Sequence, residues 1–299
     1  MQVKGEPLKI GIMTRDLESW CSKQLREAMT KQNITPVCFG YREIVTRVDY
    51  KPEVSANQTD LTKDIDALIT RPIAQSSLEQ IFFKMNLLRK LQRQGLLIIN
   101  PPRAIEQSVD KYHSLALFQE HGLPVPKTAV TESHQQALTC FDELGQDIIL
   151  KPLFGSRGIG ATRITDKDTA ARIFRTITHY HGVLYLQQYI PHKGTDIRAF
   201  VIANKVTAAI KRTSPNWKTN ISQGAKPTPT NLSDELENIA IKATQIIGCK
   251  IAGVDIIEGP NGPKLIEINS QPGWKGLQSV TKTNIATEII NYIKTELKK

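Results

Sequence analysis

The sequence predicts an α/β protein, and three observations carry that prediction. In the first third, apolar strand-like runs alternate with amphipathic helical stretches, the order of a parallel α/β unit. In the middle, an apolar strand runs into a glycine-rich turn, FGSRGIG, and returns as a second strand. Near the end, AGVDIIEGPNGPKLIEINSQPG (252–273) reads as two β-branched, apolar strands joined by a tight turn, GPNGP.

LKIGIM (8–13) has the pattern of a buried strand, and a helix follows over 17–31. Residues 35–41 and DIDALIT (64–70) are the next strands. SLEQIFFKMNLLRKLQRQG (77–95) is an amphipathic helix closed by Gly95, and LLIIN (96–100) is a strand after it. PPRA (101–104) interrupts the periodicity, which puts a boundary near residue 103. A helix from 108 to Gly122 carries DKYHSLALFQEHG, LPVPKTAV is extended, and 145–164 reads strand, loop, strand. A helix over 168–181, the strand VLYLQQYIP (183–191), and a hairpin over 194–214 turning at 203–205 come next. Helices over 233–247 and 283–297 flank the final hairpin. Three units result: an N-terminal α/β unit over 1–103, a central unit with the glycine loop over 104–190, and a C-terminal unit over 191–299.

A chain of 299 residues can bury a large core in two or three such units. No apolar run approaches the ~20 residues that cross a bilayer, and the N-terminal stretch lacks the apolar core of a signal peptide, so a cytoplasmic location is expected. Cys21, Cys38, Cys140 and Cys249 form no CxxC pair, and no HExxH occurs among the six histidines. Those spacings argue against a zinc site or a disulfide framework. A net charge of +10 points to anionic partners. The basic residues are dispersed and no aromatic-rich recognition motif accompanies them, so phosphate-bearing or polycarboxylate small molecules are expected rather than nucleic acid. No GxGxxG follows the first strand, which removes a dinucleotide-binding reading.

Alternation along a strand places Glu267 and Asn269 on one face, and Asp255 can meet them across the hairpin. Two carboxylates and an amide oxygen around one point are hard ligands suited to magnesium; a hairpin with solvated polar residues is the alternative. Lys151 ends the strand that enters the glycine loop, whose backbone amides can approach an anion closely. Lys111 lies in the first turn of its helix, where a cation is unfavourable against the helix dipole unless something negative is near. Asp196 and Arg198 share one face of their strand, and Arg212 leads into a polar loop with Trp217 and Asn220.

Strand lysine, glycine hairpin, hinge strand, DIR strand and a late D…ExN hairpin occur here in one order. The segments DKY, KPLFGSRGIG, GTDIRAFVI, AAIKR, AGVDI and EINSQPGWKG resemble the RimK-like glutamate ligases of the ATP-grasp superfamily over residues 8 to 295. Within that family, NPPRAIEQSVDKY, KPLFGS and NWKTNISQGAKP are most similar to the branch that glutamylates tetrahydromethanopterin and related C1-carrier pterins. The resemblance implies an ATP-grasp fold with an N-terminal pre-ATP-grasp domain, a small central lid domain and a C-terminal α+β domain. By the same resemblance, Lys111 and Lys151 hold the α- and β-phosphates of ATP. The loop with Gly155, Ser156, Gly158 and Gly160 covers the phosphates. Gln188, Tyr189 and Ile190 form the adenine-side hinge, and Asp196 lies near the ribose. Asp255, Glu267 and Asn269 hold two magnesium ions, for which manganese can substitute. Arg212 steadies the transferred phosphoryl group, with Arg198 and Asn220 near the reacting carboxylate. The chain departs from many relatives at Gln188, where they carry glutamate, and at Arg157 and Ile159, in positions that vary.

The implied reaction is ATP-dependent ligation: a substrate carboxylate becomes an acyl phosphate and is captured by the amine of L-glutamate. A homodimer or homotetramer is expected from the resemblance alone. The competing readings are the same chemistry on a ribosomal protein tail, a deazaflavin coenzyme or an amino-acid carrier protein, a non-catalytic ATP-binding regulatory module, and a nucleic-acid binder suggested only by charge.

Overall fold

The computed structural model describes residues 7–73, 76–155 and 158–299. The N-terminal part contains β1 (Lys9–Met13), α1 (Trp20–Thr30), β2 (Thr35–Phe39), the short strands β3 (Ile44–Thr46), β4 (Val54–Ala56) and β5 (Thr59–Asp60), then β6 (Ala67–Thr70), α2 (Leu78–Arg93) and β7 (Leu97–Ile99). Its main sheet has the order β2-β1-β6-β7, with every neighbour parallel. Burial on both faces explains the unbroken apolar runs of β1 and β6. Ser19 caps α1, and Ser77 with Gln80 forms a capping box on α2. The three-stranded antiparallel sheet β3-β4-β5 has no counterpart in the sequence reading; its strands are two or three residues long, too short to show a period.

The stretch 101–104 is a correction. It does not end the pattern but starts a helix, α3 (Pro102–Val109), with proline in the first turn, where a missing N–H leaves no bond unmade. The expected single helix from 108 is likewise divided. Asp110 ends α3 and caps α4 (Lys111–Glu120), its carboxylate accepting from the amides of Tyr112 and His113.

The middle sheet is built from β8 (Thr128–Thr131), β9 (Ile148–Lys151), β10 (Thr162–Ile164) and β11 (Leu184–Gln188), in the order β10-β9-β11-β8 and wholly antiparallel. Two helices, α5 (His134–Glu143) and α6 (Lys167–His179), cover it through the edge-to-face pair Phe141–Phe174. The sequence reading missed α5.

The third sheet takes β12 (Thr195–Ile202), β13 (Lys205–Thr213), β14 (Lys226–Pro229), β15 (Ile251–Gly259) and β16 (Gly262–Asn269), in the order β14-β13-β12-β15-β16. The helix α7 (Asp234–Ile247), capped by Ser233 and closed by left-handed Gly248, packs on it together with α3 and α4. After β16 come α8 (Lys275–Gln278) and α9 (Ile285–Glu296); α9 returns to the N-terminal sheet beside α1. One side chain ties the two regions further. Asn100, 1% exposed, accepts from the amides of Lys250 and Ile251 at 2.6 and 2.9 Å and donates to the carbonyls of Ile251 (2.7 Å) and Ser270. No helix among the described residues is long and apolar enough to cross a membrane, and all four cysteines are free thiols.

Candidate active site

Between the middle and third sheets lies a cleft open to solvent at its mouth. Along its floor runs a row of charges laid across the third sheet by register, of which all but Arg198 line the cleft. Arg212 stands opposite Asp196 on β13 and β12. Arg198 stands opposite Asp255 on β12 and β15. Asp255 in turn stands opposite Glu267 on β16. Directly opposed residues share a sheet face, so five charged side chains from four strands line up on one side.

The bonds follow that row. Arg212 Nε donates to Asp196 Oδ1 at 2.7 Å and its Nη2 to Asp196 Oδ2, while the same Nη2 lies 3.1 Å from Asp255 Oδ2. Arg198 closes on both Asp255 oxygens, through Nε and, at 2.6 Å, through Nη2. Room for the Arg198 guanidinium comes from Gly253, where a Cβ would stand 2.7 Å from Arg198 Nη1. Burial alone would raise the Asp255 carboxyl, but Arg198 and Arg212 outweigh it and hold it at about 2. Burial wins at Asp196, whose carboxyl is raised despite Arg212. For Arg212, burial opposes the charge and Asp255 with Asp196 more than restores it, so its pKa is raised.

Glu267 differs. Half-buried, it makes no hydrogen bond or ion pair among the described residues. Burial and then the neighbouring Asp255 raise its carboxyl, against Arg198, Lys151 and Lys111. Two adjacent carboxylates, one of them unpartnered in a sheltered site, are a donor set that a hard divalent cation would satisfy. Magnesium therefore fits Asp255 and Glu267, with the remaining positions left to phosphate and water. Among the described residues no cluster of three or more His, Cys, Asp or Glu side chains is assembled as a metal cage.

The two lysines approach from the opposite wall. Side chains alternate along β9, so Ile149 and Lys151 face the cleft together, and Gln187, opposite Ile149, faces it too. Lys151 Nζ donates to Gln187 Oε1 at 2.6 Å. Burial lowers its pKa to about 8, with Lys111 adding to the effect and Glu267 and Asp255 opposing it. Lys111 Nζ donates to the carbonyls of Leu153 (3.2 Å) and Gly155 (3.0 Å), pinning the entry of the glycine loop. Burial lowers the Lys111 pKa as well, while Glu267 and Asp110 supply the negative field that its place at a helix start demands.

Gly158 has φ +69°, and a Cβ there would meet Asn220 Oδ1 at 2.4 Å. The glycine loop thus rests on the Trp217–Asn220 loop, which lines the same cleft. Gly160 packs against Pro152. Ser156 and Arg157 lie outside the described residues.

The far end is the hinge. Gln188, Tyr189 and Ile190 line it, with the amides of Gln188 and Tyr189 donating to Lys127 O (2.9 Å) and Asp147 O (3.0 Å). Arg163, held bidentately by Asp147, lies 3.6 Å over the Tyr189 ring. Of the site residues expected from sequence, Arg198, Gly160 and Asn269 do not line the cleft. Arg198 sits behind Asp255, and Asn269 Oδ1 accepts from the amide of Gln271 at 2.8 Å. The sequence reading missed Gln187 and His192, which line the cleft; the two-residue period of LYLQQ carried the signal for Gln187.

Comparison with known proteins agrees with this geometry. A family profile described as the RimK-like ATP-grasp domain matches residues 108–293, and one described as the RimK PreATP-grasp domain matches 8–105. A tetrahydromethanopterin:alpha-L-glutamate ligase of Methanococcus maripaludis is 33% identical, covering 95% of this chain and 97% of its own. A probable alpha-L-glutamate ligase of Legionella pneumophila is 34% identical over 73% of each chain. Among solved structures, the ATP-grasp ligase PsnB complexed with minimal precursor superposes with a TM-score of 0.77 at 18% identity, covering 97% of this chain and 99% of its own. A RimK domain ATP-grasp protein from Sphaerobacter thermophilus gives 0.75 at 17% identity, covering 95% and 98%. At such identities the solved structures speak for the fold.

Proposed function

The chain belongs to the RimK-like ATP-grasp ligases, and on that footing we propose that it joins L-glutamate to a carboxylate of a tetrahydromethanopterin-type pterin, with ATP converted to ADP and phosphate. The observation that carries the reading is the Glu267 carboxylate, unpartnered among the described residues, standing beside Asp255 and facing Lys151 and Lys111 in one cleft. A nucleotide-binding module without chemistry could lose its metal ligands, whereas Asp255, Glu267, Asn269 and Arg212 are all kept here.

The residues divide the work by charge. Lys151 and Lys111 draw the α- and β-phosphates against the glycine loop, and the hinge at 188–190 receives the adenine, with Asp196 toward the ribose. Asp255 and Glu267, with Asn269, would hold magnesium, which when bound would neutralise charge at the terminal phosphates. We take two ions as the working stoichiometry and manganese as a functional substitute. Arg212 balances charge developing on the transferred phosphoryl group. Arg198 holds Asp255 in place, and Asn220 stands near the reacting carboxylate. The acceptor carboxylate attacks the γ-phosphorus, the β–γ bridging oxygen leaves with ADP, and an acyl phosphate forms. The glutamate amine then attacks the acyl carbon, phosphate departs, and an amide remains. Contact of Gly158 with Asn220 keeps water from the acyl phosphate. The proposed working division is 1–103, 104–190 and 191–299, in a homodimer or homotetramer.

The test is ADP release with magnesium-ATP, L-glutamate and a panel of acceptors, with products weighed by mass spectrometry. Release that requires both glutamate and tetrahydromethanopterin, with a glutamylated pterin, is the expected result. Glutamylation of a deazaflavin coenzyme or a ribosomal protein tail instead would overturn the acceptor assignment, and glutamate-independent ATP turnover would overturn the ligation.

A further inference from the structure

In the N-terminal sheet the chain runs from β1 outward to β2, then returns to β6 and on to β7. The strand order therefore reverses between β1 and β6. In open parallel sheets, ligands bind in the crevice beyond the strand carboxyl ends at such a reversal. Here that crevice holds Arg71. Its amide donates to Met13 O at 2.8 Å, fixing it between the ends of β6 and β1.

Arg71 is 8% exposed, yet no carboxylate pairs with it among the described residues. Its guanidinium donates to Pro272 O at 3.1 Å and lies 4.9 Å over the Trp274 ring, so four of its five N–H groups have no protein acceptor among the described residues. A buried guanidinium without an anion is costly to keep. Three further cations sit on the same edge. Arg15 lies two residues beyond β1 and Arg42 three residues beyond β2; both are exposed. Lys84 lies 5.3 Å over the Tyr41 ring, and the Tyr41 hydroxyl donates to the Arg71 carbonyl. Neither Arg15, Arg42 nor Lys84 has an ion-pair partner among the described residues. The nearby carboxylates are turned to local bonds: Asp16 accepts from the amide of Glu18, and Glu43 from the amide of Gly40 and from Asn57.

We propose that this crevice is the seat of the acceptor's anionic tail, a carboxylate or phosphate ester held by Arg71 at its base and by Arg15, Arg42 and Lys84 at its rim. The assignment rests on the ligase reading above. Reach supports it: Pro272, which Arg71 grips, is three residues beyond Asn269 and five beyond Glu267. Five residues span at most about 18 Å, so a small acceptor anchored here can present a second carboxylate to the phosphoryl-transfer site.

The test uses Arg42→Gln with Lys84→Gln, both at the rim, and Arg71→Lys as a second variant. Steady-state turnover is followed with tetrahydromethanopterin, and unfolding temperature is measured on every variant. Separately, inorganic phosphate and glutarate are titrated against protein saturated with magnesium-ADP and read by amide exchange of residues 13–16, 40–43 and 70–72. The double variant should raise the pterin KM by about tenfold or more, the effect of losing charge-assisted hydrogen bonds, with the KM values for ATP and glutamate held. Whichever of phosphate and glutarate protects the three segments identifies the tail chemistry, and the protection should vanish in the double variant. An unchanged pterin KM, or protection that survives the rim substitutions, overturns the seat while leaving the ligase reading intact. Loss of pterin turnover in the parent protein, with anion protection still sensitive to the rim, overturns the pterin reading and leaves the seat.

Discussion

Asp255 and Glu267 stand opposite each other on neighbouring strands, carry the same chemical group, and are treated in opposite ways. Asp255 is gripped by two arginines and held at about 2. Glu267 has no hydrogen-bond or ion-pair partner among the described residues, and its carboxyl is raised. The first is a carboxylate whose charge and position are fixed by the protein. The second has its charge opposed by burial and its oxygens left open, so an incoming cation gains most there. Rigidity and vacancy are thus assigned to different members of one pair, rather than shared between them.

The comparison can be broken from either side. The largest effect is expected from Arg212→Ala. It strands Asp196 in the interior without its cation and leaves Asp255 to Arg198 alone, a change worth about 3–5 kcal/mol of stability in comparable buried pairs. Urea unfolding measures it, and a loss below about 1 kcal/mol would mean the ladder is not what holds Asp255. Glu267→Gln should do the reverse: unfolding stays near that of the parent protein while turnover falls by about 10²–10³-fold, the scale of losing one electrostatic stabiliser of the transition state. Full activity would remove Glu267 from the metal site.

Lys151 sharpens the contrast from across the cleft. Lys151→Ala should weaken ADP binding by about 10–100-fold, read by calorimetry, and unchanged affinity would contradict its phosphate contact. Its pKa of about 8 lies below the ordinary lysine value of 10.5, so between those limits the unfolded chain binds more protons than the folded one. Stability of the nucleotide-free protein should therefore rise with pH across that window, from this group, while nucleotide affinity falls as Lys151 loses its charge. Opposite slopes in the two titrations are the expected signature; parallel slopes would rule it out. The smallest effect is expected from Gly158→Ala, where φ is left-handed and the added Cβ would stand 2.4 Å from Asn220 Oδ1. A strain of about 1–2 kcal/mol should appear as ATP hydrolysis uncoupled from amide formation, measured as ADP in excess of product.

Most of the site was legible because period-2 alternation and hairpin turns are local. Asp255, Glu267, Lys151 and the glycines could be placed on faces from spacing alone. What was not legible depends on register between distant strands. Nothing in GTDIR says that Arg198 will lie opposite Asp255, 57 residues on, and nothing near Gly253 says that its missing side chain makes room for that arginine. The same holds for the fold. The strands β1, β6 and β7 announce themselves through buried apolar runs, whereas β3, β4 and β5 are too short to show a pattern. The Pro101–Pro102 pair looked like an interruption because prolines end helices more visibly than they begin them.

Asn100 gives this molecule its mechanics. Four hydrogen bonds from one buried amide clamp the N-terminal sheet to the backbone at 250–251 and 270, on either side of the hairpin that carries Asp255 and Glu267. The N-terminal region and that hairpin are consequently joined at both ends of the hairpin, as one body. The middle sheet lies outside that clamp, and its glycine loop meets the Trp217–Asn220 loop through Gly158. A displacement of the N-terminal sheet is thereby carried to the strands of Asp255 and Glu267, a tie that the middle sheet does not share through Asn100.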